Sequence, residues 1–319
     1  MATRNRGAQR WQWHGFTLLE VLLSMTILLV LVVVLAVMNN ESLALLRRSS
    51  SQAQMFQKAR DSFELMNRQL SLATMNPYWD YDDPADPKRY LRKSWLAFVS
   101  GESRALLGKT RGPGQCVFFQ APLGRMEDGR MRELNLVLNT CGFYVEYGNA
   151  NADAPAILNR PPRYRYRLMG VQTSAEEMGI YTSAPSGNDW ITGAAASARV
   201  LAENVLLLVI RPLDASGADL AGEGYQYDSR LDATEEPQPR SSNQLPPYLE
   251  VTLIAASEES IARLDSGGGW QIAENPGWFT RPDQYAEDLA DFEKLLKADR
   301  VAYRVFRQTV ALPNSKWSD

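Results

Sequence analysis

A single long apolar run dominates the amino-terminal part of this sequence and limits the folds that the chain can adopt. From Phe16 to Met38 the only charged side chain is that of Glu20, and from Ile27 to Met38 every residue is apolar. A helix rises about 1.5 Å per residue, so this run is long enough to cross the roughly 30 Å hydrocarbon layer of a membrane. A carboxylate in that layer costs roughly 2.5–3.5 kcal/mol on insertion scales. Glu20 therefore calls for a compensating interaction.

Basic residues precede the apolar run, and no lysine or arginine lies within it. Arg4, Arg6 and Arg10 stand in the first 15 residues, which contain no acid. This distribution predicts a cytoplasmic amino terminus, with the rest of the chain outside the cytoplasm. An ordinary signal anchor fits the pattern. A signal peptide cut near Ala36–Met38 fits it as well, although small residues are scarce there.

Neither alternative explains the motif GFTLLE at positions 15–20. This motif resembles the leader of type IV prepilins and of type II secretion pseudopilins, in which a short basic leader ends in Gly. There, Phe follows the Gly, Glu occupies the fifth mature position, and an apolar helix comes next. The resemblance covers about the first 40 residues.

The resemblance implies cleavage between Gly15 and Phe16 by a membrane aspartic prepilin peptidase, followed by N-methylation of Phe16. It also implies subunit assembly, in which Glu20 pairs with the new amine of a neighbouring subunit. Pairing would offset the cost of the carboxylate in the membrane. The alternative is that the Glu20 side chain reaches the lipid headgroups, because it lies only one turn from the boundary.

Beyond the apolar run, the spacing of apolar residues predicts that the helix continues. Small or apolar residues recur at steps of three and four and form one stripe: Leu46, Ser49, Ala53, Phe56, Ala59, Phe63, Met66, Leu70 and Ala73. Asn76-Pro77 ends the pattern, because the residue before a proline avoids the helical conformation. We therefore predict a helix over 16–75, with a membrane span at 16–38 and an amphipathic part at 39–75 that packs on a sheet.

The remaining residues, 76–319, predict an exterior α+β domain. Segments rich in β-branched and aromatic residues predict strands at 94–100, 115–121, 133–140, 142–148, 163–169, 204–214, 248–257 and 301–312. The pattern at 283–300 predicts a helix, and the polar composition of 214–247 predicts an exposed loop. A helix followed mostly by consecutive strands favours an antiparallel sheet, as in pilins.

The carboxy-terminal half carries a second, looser resemblance. The order of ARVLAENVLLLVIRPLD, LPPYLEVTLIAASEES and YRVFRQTVALPNSKW is similar to that of J-type minor pseudopilins and tip-type minor pilins. It is also similar to the Verru_Chthon cassette protein C family of prepilin-like proteins. The resemblance to minor subunits implies a low-copy role in initiation, capping or the filament tip.

Two groups of residues are candidates for local chemistry. Cys116 and Cys141 either form a disulfide or remain two buried thiols, because spacing alone does not establish the geometry. Four acids at 80–86 form an oxygen-rich cluster that is a weak calcium candidate: Asp80, Asp82, Asp83 and Asp86. The stretch lacks EF-hand spacing and contains prolines, which favours a solvated loop.

The segment RYRYR at 163–167 combines arginines with aromatic residues, as single-stranded nucleic-acid sites do. Alternation along a strand instead places Arg163, Arg165 and Arg167 on one face and the tyrosines on the other. An ordinary edge strand is the favoured interpretation. The net charge of −3 also argues against a general nucleic-acid binder.

The only histidine, His14, precedes the apolar run. Histidine-based triads and HExxH zinc sites are therefore excluded from the rest of the chain, and no cofactor is predicted. We expect a non-enzymatic, single-pass protein of the inner (cytoplasmic) membrane with an extracytoplasmic domain.

The expected partners are a prepilin peptidase, other pilin or pseudopilin subunits and the inner membrane, with no nucleic acid. One rival hypothesis is a membrane-anchored binding or adhesion module whose exterior domain recognises a surface, cargo or DNA. A second rival is an anchored hydrolase, which the absence of a recognisable nucleophile motif disfavours.

Overall fold

The computed structural model describes residues 17–108, 114–129, 134, 136–151, 161–184, 187–265, 272 and 278–317. For 40–52 and for 223 only the backbone is described. The chain divides into two units, Met1–Ser51 and Gln52–Asp319, and the first helix contributes residues to both.

Five α-helices and eleven β-strands are formed by the described residues. The helices are α1 (Leu18–Ser71), α2 (Ser103–Leu107), α3 (Asp189–Ala195), α4 (Glu258–Asp265) and α5 (Tyr285–Ala298). The strands are β1 (Tyr78–Tyr81), β2 (Tyr90–Lys93), β3 (Val99–Glu102), β4 (Gln115–Pro122), β5 (Leu138–Asn149), β6 (Tyr164–Gln172), β7 (Arg199–Glu203), β8 (Val205–Leu213), β9 (Tyr227–Asp228), β10 (Tyr248–Ala256) and β11 (Tyr303–Ala311).

The strands form three antiparallel groups. A six-stranded sheet has the order β7-β6-β5-β4-β3-β9, a three-stranded sheet has the order β11-β10-β8, and β1 pairs with β2. A long apolar amino-terminal helix with antiparallel sheets is the α+β arrangement predicted from the sequence, and that prediction is confirmed.

The apolar stripe of α1 lies in the main core of the second unit. Its buried members are Phe56, Ala59, Phe63, Met66 and Leu70, with Ala73 just beyond the helix end. They pack with residues of both larger sheets. The amphipathic pattern therefore identified the buried face correctly from Phe56 onward, whereas Ala53 is exposed and Leu46 and Ser49 lie outside the described side chains.

Contacts between α1 and two strands fix its position within this unit. The Phe63 and Phe306 ring centroids are 5.9 Å apart, and the Asn67 amide donates a 2.9 Å hydrogen bond to Gln308 on β11. The Ser62 hydroxyl donates to the carbonyl of Leu201 on β7 at 3.1 Å. The helix is thus held by apolar burial and by polar contacts at its margins.

The opposite face of the six-stranded sheet has its own smaller core, which α2 and α3 cover. Trp190 of α3 meets Phe118 of β4 edge to face, with ring centroids 6.3 Å apart. Gly142 lies opposite Phe118 on β5, and a Cβ there would stand 2.4 Å from the Phe118 ring. Glycine at this position therefore makes room for the ring, because a contact that short is not tolerated.

Several predicted boundaries differ from the structure. The helix ends at Ser71 rather than at 75, because the Thr74 amide donates to the Gln120 carbonyl at 2.8 Å and joins β4 instead. The predicted strands 133–140 and 142–148 merge into the single strand β5, where Gly142 is a packing position and not a break. Residues 130–133 and 135 lie outside the described part of that stretch.

The segment 214–247, predicted as an exposed loop, is exposed at 215–219 and 234–237 but buried in other parts. Tyr225 and Leu245 are buried, and Tyr227 pairs with Ser100 as part of β9. The Phe98 amide donates to the Ser229 hydroxyl at 2.9 Å. Polar groups of this segment form hydrogen bonds with strands elsewhere in the chain.

A core substitution tests the role assigned to the stripe of α1. We expect Leu70→Ala to lower the free energy of unfolding by roughly 2–5 kcal/mol, because it removes a fully buried side chain and leaves a cavity. Leu65→Ala is the matched control on the same helix, where the side chain is 42% exposed, and its effect should stay within about 0.5 kcal/mol. Denaturant unfolding of the full chain in micelles, followed by tryptophan fluorescence, measures both. Equal losses would contradict the assignment.

Candidate functional site

The predicted processing and assembly residues surround the start of α1. Gly15 and Phe16 lie outside the described residues, and Glu20 lies in the first turn of the helix. Leu18–Asn39 is long and apolar enough to cross a membrane, with a mean hydropathy of 3.1. This helix is a candidate membrane anchor or signal.

The Glu20 carboxylate closes the amino-terminal turn of α1. The Thr17 amide and the Thr17 hydroxyl each donate to Glu20 Oε2 at 3.1 Å, and the Glu20 amide lies 3.3 Å from Thr17 Oγ1. This reciprocal arrangement is a capping box, which satisfies amide groups that have no partner within the helix. The capping box was not predicted, although the spacing T-x-x-E at 17–20 is its sequence signature.

Capping gives the acid a local role, and it leaves part of the carboxylate available. A negative charge near a helix amino terminus is favoured by the helix dipole, typically by about 0.3–1 kcal/mol. Within the described residues, Oε1 of Glu20 has no hydrogen-bond partner. The carboxylate can therefore cap its own helix through one oxygen and accept a further donor through the other.

The side chains around Glu20 are not covered by the described part of the chain. From Leu18 to Met38 the large apolar residues are all exposed, ranging from 47% at Val21 to 79% at Leu18. A stretch of this size exposed to water would be strongly unfavourable, since each large apolar side chain gains roughly 1.5–3 kcal/mol on burial. It therefore requires lipid or other protein segments around it.

The two cysteines do not form the disulfide that the sequence analysis left open. Both are buried free thiols. Cys141 belongs to the main core and Cys116 to the smaller core on the other face of the same sheet, so their side chains point away from each other. Burial raises the pKa of each thiol to about 12.

The four aspartates at 80–86 are used by the chain itself. Asp80 pairs with Lys93 at 3.1 Å, and Asp86 pairs with Lys88 at 3.1 Å. Asp83 accepts the amide of Ala85. No group of metal-binding side chains occurs among the residues that the structure describes.

Asp82 organises the turn between β1 and β2. Its carboxylate accepts the amides of Lys88, Asp83 and Arg89, and these hydrogen bonds lower the pKa of Asp82 to about 2. Asp82 therefore stabilises the hairpin turn by accepting hydrogen bonds from the backbone amides of that turn.

The arginines of RYRYR are also paired. Arg163 contacts Glu203 and Glu258 at 3.2 and 2.8 Å. Arg165 contacts Glu258 and Asp265 at 2.9 and 2.6 Å, and Arg167 contacts Glu146 at 2.7 Å.

The predicted edge strand is wrong, because β6 pairs with β5 on one side and with β7 on the other. Tyr166 faces the main core, and the arginines pair with acids of β5, β7 and α4.

Comparisons with known proteins give little further information. No protein-family model matches the sequence, and no curated protein matches it. Among solved structures, the chain is similar to a type IV-like pilin from Thermus thermophilus, with 12% identity over 81% of this chain and 95% of that chain, and a TM-score of 0.33. A similarity at this level does not establish a shared fold, so the function is inferred from the chain's own residues.

Thiol labelling tests the placement of the cysteines. We expect neither Cys116 nor Cys141 to react with iodoacetamide at mildly alkaline pH in the folded protein, because the neutral thiol is favoured up to a pKa of about 12. Unfolded thiols ionise near pH 8.5, so the free energy of unfolding should also fall as the pH rises above about 8.5. Mass spectrometry counts the labels, with protein in guanidinium as the fully reactive control. Labelling of the folded protein at the denatured rate would contradict the placement.

Proposed function

We propose that this protein is a minor pilin-like or pseudopilin-like structural subunit. It is inserted in the inner membrane through Leu18–Asn39, with the amino terminus in the cytoplasm. A prepilin peptidase cuts between Gly15 and Phe16, and Phe16 is N-methylated. The mature subunit then assembles through α1 with similar subunits, as an initiating or tip subunit of a pilus or secretion pseudopilus.

The observation that carries this proposal is the position of Glu20 on a helix whose large apolar side chains are exposed in the part of the chain that the structure describes. Cleavage before Phe16 would create a positive amine on Phe16, two residues before α1 begins at Leu18. A neighbouring subunit could offer that amine to the oxygen of Glu20 that the capping box leaves unused. Pairing of the two charges removes the cost of an isolated carboxylate in an apolar layer.

The unit Gln52–Asp319, which the proposal places outside the cytoplasm as the exterior unit, supports the proposal in a second way. The described part of α1 beyond residue 52 packs into the core of that unit, so the unit is built on the same helix that carries Glu20. A signal peptide cut near Ala36–Met38 would separate Glu20 from the exterior unit. Processing at the amino-terminal end of the apolar run keeps them on one chain.

Processing is tested by the mass of the mature protein. When the full chain is produced together with a prepilin peptidase, we expect loss of residues 1–15 and addition of one methyl group at Phe16. Gly15→Val should leave the precursor intact, because the prepilin leaders that this sequence resembles end in glycine at the cleavage site. Gly7→Val changes another leader glycine and should be processed normally. A mature terminus near Ala36–Met38, or an intact precursor with the native leader, would overturn this part of the proposal.

Two substitutions separate the capping role of Glu20 from its charge. Glu20→Gln keeps an oxygen that can accept the Thr17 amide but removes the charge, whereas Thr17→Val removes the hydroxyl and leaves the charge. We expect Glu20→Gln to reduce co-purification of two differently tagged copies from native membranes by about tenfold, which corresponds to about 1.4 kcal/mol. Thr17→Val should reduce it by about twofold or less.

A larger loss of co-purification for Thr17→Val than for Glu20→Gln would show that helix capping, and not charge pairing, makes Glu20 necessary. Equal co-purification of the native chain and both variants would remove Glu20 from the assembly mechanism. Each variant is first compared with the native chain for processing at Gly15–Phe16, so that a failure of cleavage is not taken for a failure of assembly.

A further inference from the structure

A half-enclosed cleft of about 330 Å³ lies in the exterior unit. Three segments that are distant in the sequence form its walls. One is the β1–β2 hairpin with the turn that follows it, the second is the turn at 179–184, and the third comes from 230–243. The volume is at the lower end of the roughly 300–1,000 Å³ that ligand sites occupy.

Three exposed aromatic side chains line this cleft. Tyr78, Trp95 and Tyr181 are 36%, 61% and 55% exposed, although large aromatic residues are usually well buried. In the described part of the chain, the Trp95 indole nitrogen and the two phenol oxygens have no hydrogen-bond partner. The cleft therefore presents flat apolar faces together with unused polar groups at their edges.

The backbone that carries these rings is held in place. The Asn76 side-chain oxygen accepts the Ser94 hydroxyl at 3.1 Å and the amides of Trp95 and Leu96 at 3.3 Å. The turn that carries Tyr181 is closed by the Gly179 carbonyl, which accepts hydrogen bonds from the two residues after the tyrosine. A prearranged site loses less conformational entropy when a ligand binds.

The charged residues of the cleft are already neutralised. Lys93 donates to Asp80 at 3.1 Å and to the Tyr81 carbonyl at 2.7 Å. Arg230 makes two hydrogen bonds to Asp228, at 2.9 and 2.6 Å. No other charged residue lines the described walls. An anionic polymer would therefore find no uncommitted cation here, which argues against nucleic acid or a phosphorylated ligand.

The cleft also offers a hydrogen-bond acceptor. The Asn243 amide nitrogen donates to the Arg92 carbonyl at 2.8 Å, and the Asn243 side-chain oxygen has no partner among the described residues. Donors and an acceptor thus surround the aromatic faces. This mixture matches a neutral ligand that carries hydroxyl groups around an apolar ring.

From these features we propose that the cleft binds a short segment of a neutral carbohydrate chain. The C–H face of a sugar ring packs on Trp95 or a tyrosine, and its hydroxyl groups exchange hydrogen bonds with the ring edges and Asn243. A proline-rich peptide also binds aromatic grooves, but its proline residues offer only acceptors. The acceptor at Asn243 favours the carbohydrate.

The test uses the full chain in a zwitterionic detergent without a sugar headgroup. Chitohexaose, cellohexaose and maltohexaose are titrated separately, and saturation-transfer NMR follows the sugar protons. We expect saturable binding of at least one of them in the millimolar range or tighter, with the strongest transfer to protons on one face of the ring. Trp95→Ala should weaken that binding by about tenfold, and Trp95→Tyr should restore most of it.

Trp79→Ala is the matched control. Trp79 is 65% exposed on the same hairpin, but it does not line the cleft, so its loss should change the affinity by less than about twofold. Thermal unfolding of each variant confirms that it is folded. Equal weakening by Trp79→Ala and Trp95→Ala would overturn the assignment of the cleft.

Absence of saturable binding by all three hexasaccharides at millimolar concentration would overturn the carbohydrate proposal. Tighter binding of a proline decapeptide in the same cleft would overturn it in favour of a peptide. The titration is repeated with the uncleaved Gly15→Val chain, which should bind equally well. The outcome for the cleft is therefore distinguishable from the outcome for processing and assembly.

Discussion

Burial of one stripe of α1 against two sheets is the interaction on which the unit Gln52–Asp319 depends. The side chains from Phe56 to Leu70 pack in the main core with residues of both larger sheets and of α4 and α5. The helices α2 and α3 lie on the other side of the larger sheet, so they cannot replace that stripe. The same helix has no buried side chain between 17 and 39, so its surroundings change along its length.

Ion pairs stabilise the same unit at β6, where the arginine side chains are paired with acids. Arg165 is nearly buried and holds both Glu258 and Asp265, while Arg163 shares Glu258. Loss of one partner would leave a charge in a poorly solvated place, which costs far more than an exposed pair contributes. This network joins β6 to α4 across about a hundred residues of sequence and explains why arginines alternate there with tyrosines.

Local patterns predicted what local interactions determine. The period of the stripe in α1 was sufficient to predict its buried face. The β-branched content of β4, β8 and β10 was sufficient to predict these strands, because they are buried along most of their length. The end of α1 before Thr74 and the burial of parts of 214–247 depend on contacts with residues far away in the sequence, which no local pattern contains. The capping box at Thr17 and Glu20 was visible as T-x-x-E. The cleft was not, since Trp95, Tyr181 and Asn243 come together only in the folded chain.

The contact between α1 and β11 has a consequence for how the chain matures. Asn67 bonds Gln308, and Phe63 packs on Phe306, so one of the first elements to be made rests on the last strand. A chain that is synthesised from its amino terminus therefore cannot complete its core until residues 303–311 have been added. Until then the stripe of α1 is partly unprotected, and folding is slowed by the long loop that must close. Completion of the whole chain, and not of its first half, sets the moment at which this core is closed.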